Sequence, residues 1–142
     1  MNLIPGIQST AAALDAERIR MQVISQNIAN AHTTKGPDGK IFQRQQVVFS
    51  NVLSDESYGS VLEDPIQKVM VSRIQSDSAG PKMVYNPGHP DADGDGMVAM
   101  PNINIHTEMV DMMAASRAFE ANLAVVKTSR KMATQTLAIG RL

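Results

Sequence analysis

The residues best suited to chemistry lie in one short acidic run, Asp91-Ala92-Asp93-Gly94-Asp95-Gly96. Oxygens at its first, third and fifth positions, with glycine at the sixth, match the start of a calcium loop. Position twelve, where a bidentate Glu should close the coordination shell, is Asn102, and Pro101 precedes it. The flanks are proline-rich turn where an EF-hand needs helix, so these residues favour a solvated acidic turn. His89 with Asp91 and Asp93, or His106 with Glu108, would put ligand types on one face of a strand. Neither set offers third and fourth ligands at a recognisable metal spacing. His32 stands beside a helix end, where capping or exposure accounts for it. Nothing matches a nucleophile elbow, a phosphate loop or a carboxylate pair in a defined pocket. The chain has no cysteine, which removes thiol catalysis and disulfides. The sequence therefore assigns no catalytic residue, no metal ligand and no cofactor.

The elements that would have to position any such group are two long amphipathic segments, residues 7–31 and 107–139, at opposite ends of the chain. Steps of four and three residues from Ile7 reach Ala11, Leu14, Arg18, Met21, Ser25 and Ile28, and five of these seven positions are apolar. The same stepping from Met109 reaches Met112, Ser116, Phe119, Leu123, Val126, Arg130, Ala133 and Leu137, with seven of nine apolar. A mean spacing of 3.5 residues keeps one helix face toward a partner over many turns. Neither segment contains Gly or Pro, and breakers stand outside both at Pro5, Gly6, Gly36, Pro37, Pro101 and Gly140. Thr107 is a candidate N-cap for the second helix. The helices would be about 37 and about 50 Å long. Helices of this kind are marginal alone, because most of their stability comes from burying the apolar face. Each large seam side chain contributes roughly 1.5–3 kcal/mol when fully buried, so both segments need a partner. Met109, Met112 and Met113 with Phe119 and Leu123 would also suit a ligand groove, but a packing stripe is the commoner use of such spacing. Arg18, Ser25, Ser116 and Arg130 interrupt the seams, either restricting register or lying in solvent where the seam frays. Asn27 and Asn30 fall three apart near a helix end. Their amides are placed to bond neighbouring backbone groups, or Asn30 ends the helix in a left-handed conformation.

The middle of the chain, 33–106, has a different grammar. It holds seven of the nine Gly and six of the seven Pro. Strands are expected at Ile41–Phe49 and Ile66–Ile74, with shorter ones at Lys82–Tyr85 and Met97–Met100. In the second, Val69 and Val71 face one way and Met70, Ser72 and Ile74 the other. Turns are marked by Asp64-Pro65, Ala79-Gly80-Pro81, Asn86-Pro87-Gly88 and the acidic run. The fold class is thus α+β, a coiled-coil-like pair of terminal helices with a small β-rich centre. It divides into an N-terminal helical segment (1–32), a central region (33–106) and a C-terminal helical segment (107–142). In 142 residues this leaves no room for a large core with a deep pocket. A net charge of −1, no basic block and no Trp argue against nucleic acid as the main partner. The N-terminus lacks the basic and apolar regions of a secretory signal, and no apolar run is long enough to span a membrane.

Local sequence at the two ends carries a resemblance. Ser9–Thr34, with Asn-Ile-Ala-Asn-Ala at 27–31 followed by Thr33 and Thr34, resembles the N-terminal motif of the bacterial flagellar rod and hook proteins. Asn102–Leu142, including EMVDMMAASRAFEAN at Glu108–Asn122, resembles the C-terminal motif of the same family. Tyr85–Ile105 is similar to the corresponding stretch of a proximal-rod member, and the short length agrees. The pair His106-Thr107 departs from a more acidic or apolar pair in the family. The resemblance implies a structural, non-enzymatic subunit of the flagellar basal body, within the periplasmic rod. It implies export by the flagellar type III apparatus and packing of the terminal helices into a tube around a central channel. The implied partners are copies of the chain, neighbouring proximal and distal rod subunits, and the protein at the junction with the export gate and MS ring. Such a tube needs contacts between unlike surfaces. The expected assembly residues are Ile7, Leu14, Met21, Asn27, Ile28 and Asn30 at one end, and Met109, Met112, Phe119, Leu123, Val126 and Leu137 at the other. Two alternatives differ in class: a self-contained helical-hairpin adaptor, and a small calcium-binding module built on Asp91, Asp93 and Asp95.

Overall fold

The computed structural model describes residues 5–53 and 67–140. These form helix α1 (Pro5–Ala29), strands β1 (Gln45–Leu53), β2 (Gln67–Ser76), β3 (Lys82–Tyr85) and β4 (Met97–Met100), and helix α2 (Ile105–Ile139). The class is α+β, with two antiparallel hairpins, β1–β2 and β3–β4, between long terminal helices. The expected turn at Asp64-Pro65 lies outside the described residues.

Pro5 opens α1 instead of standing outside it. Its fixed φ suits the first turn, and its missing N–H is one the helix leaves unpaired anyway. α2 starts two residues earlier than the sequence suggested. Asn104, not Thr107, is the N-cap, and its Oδ1 accepts the His106 N–H at 3.0 Å and the Thr107 N–H at 3.5 Å. This satisfies amide groups that a helix start leaves without intrahelical partners.

The two helices pack antiparallel, since Asn27 near the end of α1 touches Glu108 near the start of α2. α2, with 35 residues against 25, is the longer by about 15 Å. The side of α1 that is buried runs through Ala16, Val23, Ile24 and Asn27, and Ala31 continues it past the helix end. Ala115 and Glu108 are the buried residues of α2. The buried line of α1 is therefore not the counted stripe: Ala11, Arg18 and Ser25 are exposed. Leu14, Met21 and Ile28 sit on a flank roughly 100–140° around from Asn27 and are half-buried. On α2 the counted stripe fits better, with Met112, Phe119, Val126 and Ala133 half-buried on the side of Ala115.

β1 begins at Gln45, four residues after the expected start. Residues 41–44 form no strand, and the stretch before them, 36–40, closes a turn in which the Gly36 N–H donates to the Lys40 carbonyl at 2.8 Å. Within the β1–β2 ladder, Val48 faces Arg73 but Phe49 faces Val71, so Ser72 is an extra residue. This bulge reverses the alternation and brings Ile74 onto the face of Val71 and Val69, correcting the simple two-residue reading of β2. The hairpin lies along α1. The β3–β4 hairpin buries Val98 completely.

Among the described residues two glycines have positive φ, Gly39 at 71° and Gly96 at 75°. A Cβ at Gly39 would meet nothing within 4 Å, whereas at Gly96 it would lie 3.0 Å from the Tyr85 ring and 3.2 Å from Pro87 Cβ. Both alanine variants carry about 1–2 kcal/mol of left-handed backbone strain. Gly96→Ala adds a clash of the overpacking kind, so it should cost at least about 1 kcal/mol more than Gly39→Ala. Urea denaturation of the two variants checks this; equal midpoints would refute it.

Candidate functional site

The polar centre of the molecule is a joint where α1, α2 and the β1–β2 hairpin meet. Asn27, 1% exposed, uses both ends of its amide. Its Nδ2 donates to the Gln45 carbonyl at 2.9 Å, and its Oδ1 accepts the Gln45 N–H at 2.9 Å. The side chain thereby takes the place of a neighbouring strand at the first residue of β1. The same Nδ2 donates to Glu108 Oε2 at 3.0 Å. Arg44 approaches Glu108 from the other side, Nε to Oε1 at 2.7 Å. Its Nη2 lies 3.8 Å from Asp111 and its Nη1 4.0 Å from Asp77, whose N–H donates to the Arg44 carbonyl at 2.7 Å.

Burial decides what these contacts are worth. The Glu108 side chain is 1% exposed and that of Arg44 23% exposed. Taking a carboxylate out of water is costly unless it is paired and hydrogen-bonded, and here both oxygens have donors. A satisfied buried network of this kind resists relative movement of the parts that it joins. Its chemistry is positional: it sets the hairpin against the helix pair. Arg20, Val23, Val47 and Phe49 line a cleft beside it.

A second tie secures the acidic turn. Thr34 Oγ1 donates to Asp91 Oδ2 at 2.7 Å, and Lys35 Nζ pairs with Asp91 Oδ1. The Asp91 N–H donates to His89 Nδ1 at 3.1 Å. Asp93 Oδ1 accepts the Asp95 N–H at 3.0 Å and the Met97 N–H at 2.8 Å. Both Asp91 oxygens and one of Asp93 thus already serve the fold, which weighs against the calcium-module alternative. Lys35 first, then Thr34, hold the Asp91 carboxyl below its ordinary value of 3.8. A lowered carboxylate pKa stabilises the fold above the ordinary value, and that contribution is lost as pH falls through the lowered one. Lys35→Met should move the Asp91 carboxyl back toward 3.8 in an NMR titration; an unmoved value would exclude Lys35 as the cause.

The expected assembly residues separate into groups. Asn27 is turned inward and committed to Gln45 and Glu108. Asn30 caps the end of α1: its Nδ2 donates to the Gln26 carbonyl at 2.9 Å, and its Oδ1 accepts from Thr33 at 3.2 Å. It does so without a left-handed backbone, since no described non-glycine residue has positive φ. Ile7, Leu14, Met21, Ile28, Met112, Phe119, Leu123 and Val126 are half-buried. Met109 and Leu137 are exposed, at 48% and 64%. Sequence reasoning missed Arg44, Gln45, Asp77 and Asp111, and weighed Glu108 only as a metal ligand. The available signal was Glu108 itself, a carboxylate seven residues before Ala115 on a face that is otherwise being buried.

Comparison with known proteins places this geometry. The family described as flagella basal body rod protein matches residues 7–37, and that described as flagellar basal body rod FlgEFG protein C-terminal matches residues 95–139. The flagellar basal-body rod protein FlgC of Borreliella burgdorferi is 39% identical, covering 98% of each chain. That of Salmonella typhimurium is 36% identical and that of Bacillus subtilis 32%, each covering 99% of this chain and all of the relative. Both ends of the joint, Asn27 on α1 and Glu108 on α2, fall inside the two matched family regions, and with full-length similarity on top of them the chain belongs to the FlgC family of flagellar basal-body rod proteins.

Proposed function

We propose that this chain is a structural subunit of the flagellar basal-body rod that polymerises through its terminal helices and carries out no catalysis. The observation that carries this reading, beyond family membership, is incomplete cover. α1 and α2 pack on each other, yet Met109, Val110, Met113, Val125, Met132, Leu137 and Ile139 of α2 remain exposed. Apolar surface of this extent along one helix marks an interaction face. Ile7, Leu14, Met21 and Ile28 of α1, spaced at seven residues, form a second coiled-coil-like edge for a neighbour. The partners are other copies, the adjoining proximal and distal rod subunits, and the protein at the junction with the export gate and MS ring. Terminal segments 1–32 and 107–142 form the packing unit, and the central region 33–106 is held against it by the buried joint. No helix among the described residues is long and apolar enough to cross a membrane. Full-length similarity to rod proteins disfavours the free helical-hairpin adaptor. Cryo-electron microscopy of intact basal bodies tests the reading directly: density for this chain with both helices against neighbouring subunits is expected, and basal bodies lacking the chain would end the proposal.

A further inference from the structure

We propose that Met109 and Met113 form a reversible oxidation site, at which hydrogen peroxide converts the free subunit into a form that does not enter the rod; this consequence rests on the rod-subunit reading, whereas the chemistry does not. The chain has ten Met and no Cys. No thiol of its own consumes peroxide first, so thioethers are its most readily oxidised groups. Among the described residues Met70, Met83, Met109, Met113 and Met132 are exposed. Met70 and Met83 stand on different hairpins, and Met132 lies nineteen residues beyond Met113 on α2. Met109 and Met113, 48% and 55% exposed, are four residues apart and so are neighbours on one face of the helix. Val110, also exposed, lies beside them. Met112 is half-buried on the side of Ala115, which supplies a shielded thioether on the same turn for comparison.

The step is an oxygen transfer. A sulfur lone pair attacks one peroxide oxygen, an S–O bond forms and the O–O bond breaks. The proton on the transferred oxygen passes to the departing hydroxide, which leaves as water. Sulfur loses two electrons and the peroxide gains them. The sulfoxide puts a strong acceptor on a patch that was apolar. In the free subunit water hydrates that oxygen, and the fold is undisturbed. Under a neighbouring rod subunit it would lose its water and meet apolar surface, which is costly for an acceptor without a donor. The same cover would shield the sulfurs of an assembled subunit, so the site responds to peroxide before assembly and not after. With no thiol of its own, the chain depends for reversal on a methionine sulfoxide reductase, where two thiols become a disulfide and the oxygen leaves as water.

Peptide mass spectrometry of the full-length chain in dilute hydrogen peroxide should find Met109 and Met113 oxidised about fivefold faster than Met112, and a reductase of this class should reverse both. Equal rates at all three overturn the proposal. Met109→Leu/Met113→Leu and Met109→Gln/Met113→Gln, the second a mimic of sulfoxide polarity, keep good helix formers in place, and circular dichroism checks that both chains stay folded. In cells supplied only with the chain under test, the Gln pair should lower basal-body number about tenfold without peroxide. With the chain induced under sublethal peroxide, the Leu pair should yield about threefold more basal bodies than the unsubstituted chain. A Gln pair that assembles like the unsubstituted chain overturns the proposal, as does a Leu pair that gains nothing under peroxide. Either result leaves the rod-subunit reading intact where the chain is recovered in basal bodies formed without peroxide; its absence from those basal bodies ends both.

Discussion

Arg44→Met destabilises the chain by about 3 kcal/mol, and more than Glu108→Gln does, because removing one partner of a buried pair strands the other. The asymmetry follows from exposure. Glu108 is 1% exposed and Arg44 23%, so the carboxylate has nowhere to find water once the guanidinium is gone. Asn27 would remain as its only donor among the described residues, through the Nδ2 contact at 3.0 Å, and one neutral amide cannot offset an ionised carboxylate. Glu108→Gln keeps volume and an acceptor, and it frees Arg44 to lean on Asp111 and Asp77, at 3.8 and 4.0 Å. The measurement is urea denaturation of both variants by circular dichroism. If Glu108→Gln proves the more costly, the buried carboxylate is not what the joint is built to protect. A double substitution to apolar residues should recover much of the loss, since a well-packed apolar pair often replaces a buried ion pair without penalty.

Leu14→Asp or Leu123→Asp abolishes rod assembly and motility while leaving the helices formed. Both leucines are half-buried on the flanks of their helices, away from the line through Asn27 and Ala115. Each contributes only part of the roughly 1.5–3 kcal/mol available to a fully buried leucine within the chain, so the monomer survives the change. In the proposed packing a neighbour covers the same flank, and a carboxylate there would meet an apolar surface without a donor. Repetition along a polymer multiplies the defect at every contact. Motility on soft agar, protein level in the cell and recovery of basal bodies together decide the matter. A motile strain carrying either substitution at normal protein level would show that these flanks are not the packing surfaces.

Much of the architecture is legible in the sequence because it is local. The extent of α2 follows from an uninterrupted stretch between Pro101 and Gly140, and the β3–β4 hairpin from the glycine and proline between its strands. β3 and β4 were read to the residue, since short strands between strong turn signals leave little latitude. β2 was read in the right place but with the wrong face, because a bulge at Ser72 depends on the strand opposite and leaves no mark in its own residues. The acidic run was rightly read as a turn, and its carboxylates turn out to brace that turn and the chain after α1.

Helix registration shows the same divide. Counting from Ile7 finds a seven-residue spacing that is present in α1, but Leu14, Met21 and Ile28 flank the packed side instead of forming it. Two stripes of similar apolar content share that helix, and only the position of α2 determines which is inside. That Ala16 and Ala115 are the alanines buried is a property of two surfaces together and not of either segment alone.

The sequence by itself determined the element types, the described turns and, through its two terminal motifs, the family. These are settled by interactions within a few residues or by the motifs themselves. The tertiary structure alone decided that Asn27, Gln45, Arg44 and Glu108 form one joint. Their contacts span separations of 18, 64 and 81 residues, and no periodicity within a segment can report which distant polar groups will satisfy one another once water is excluded.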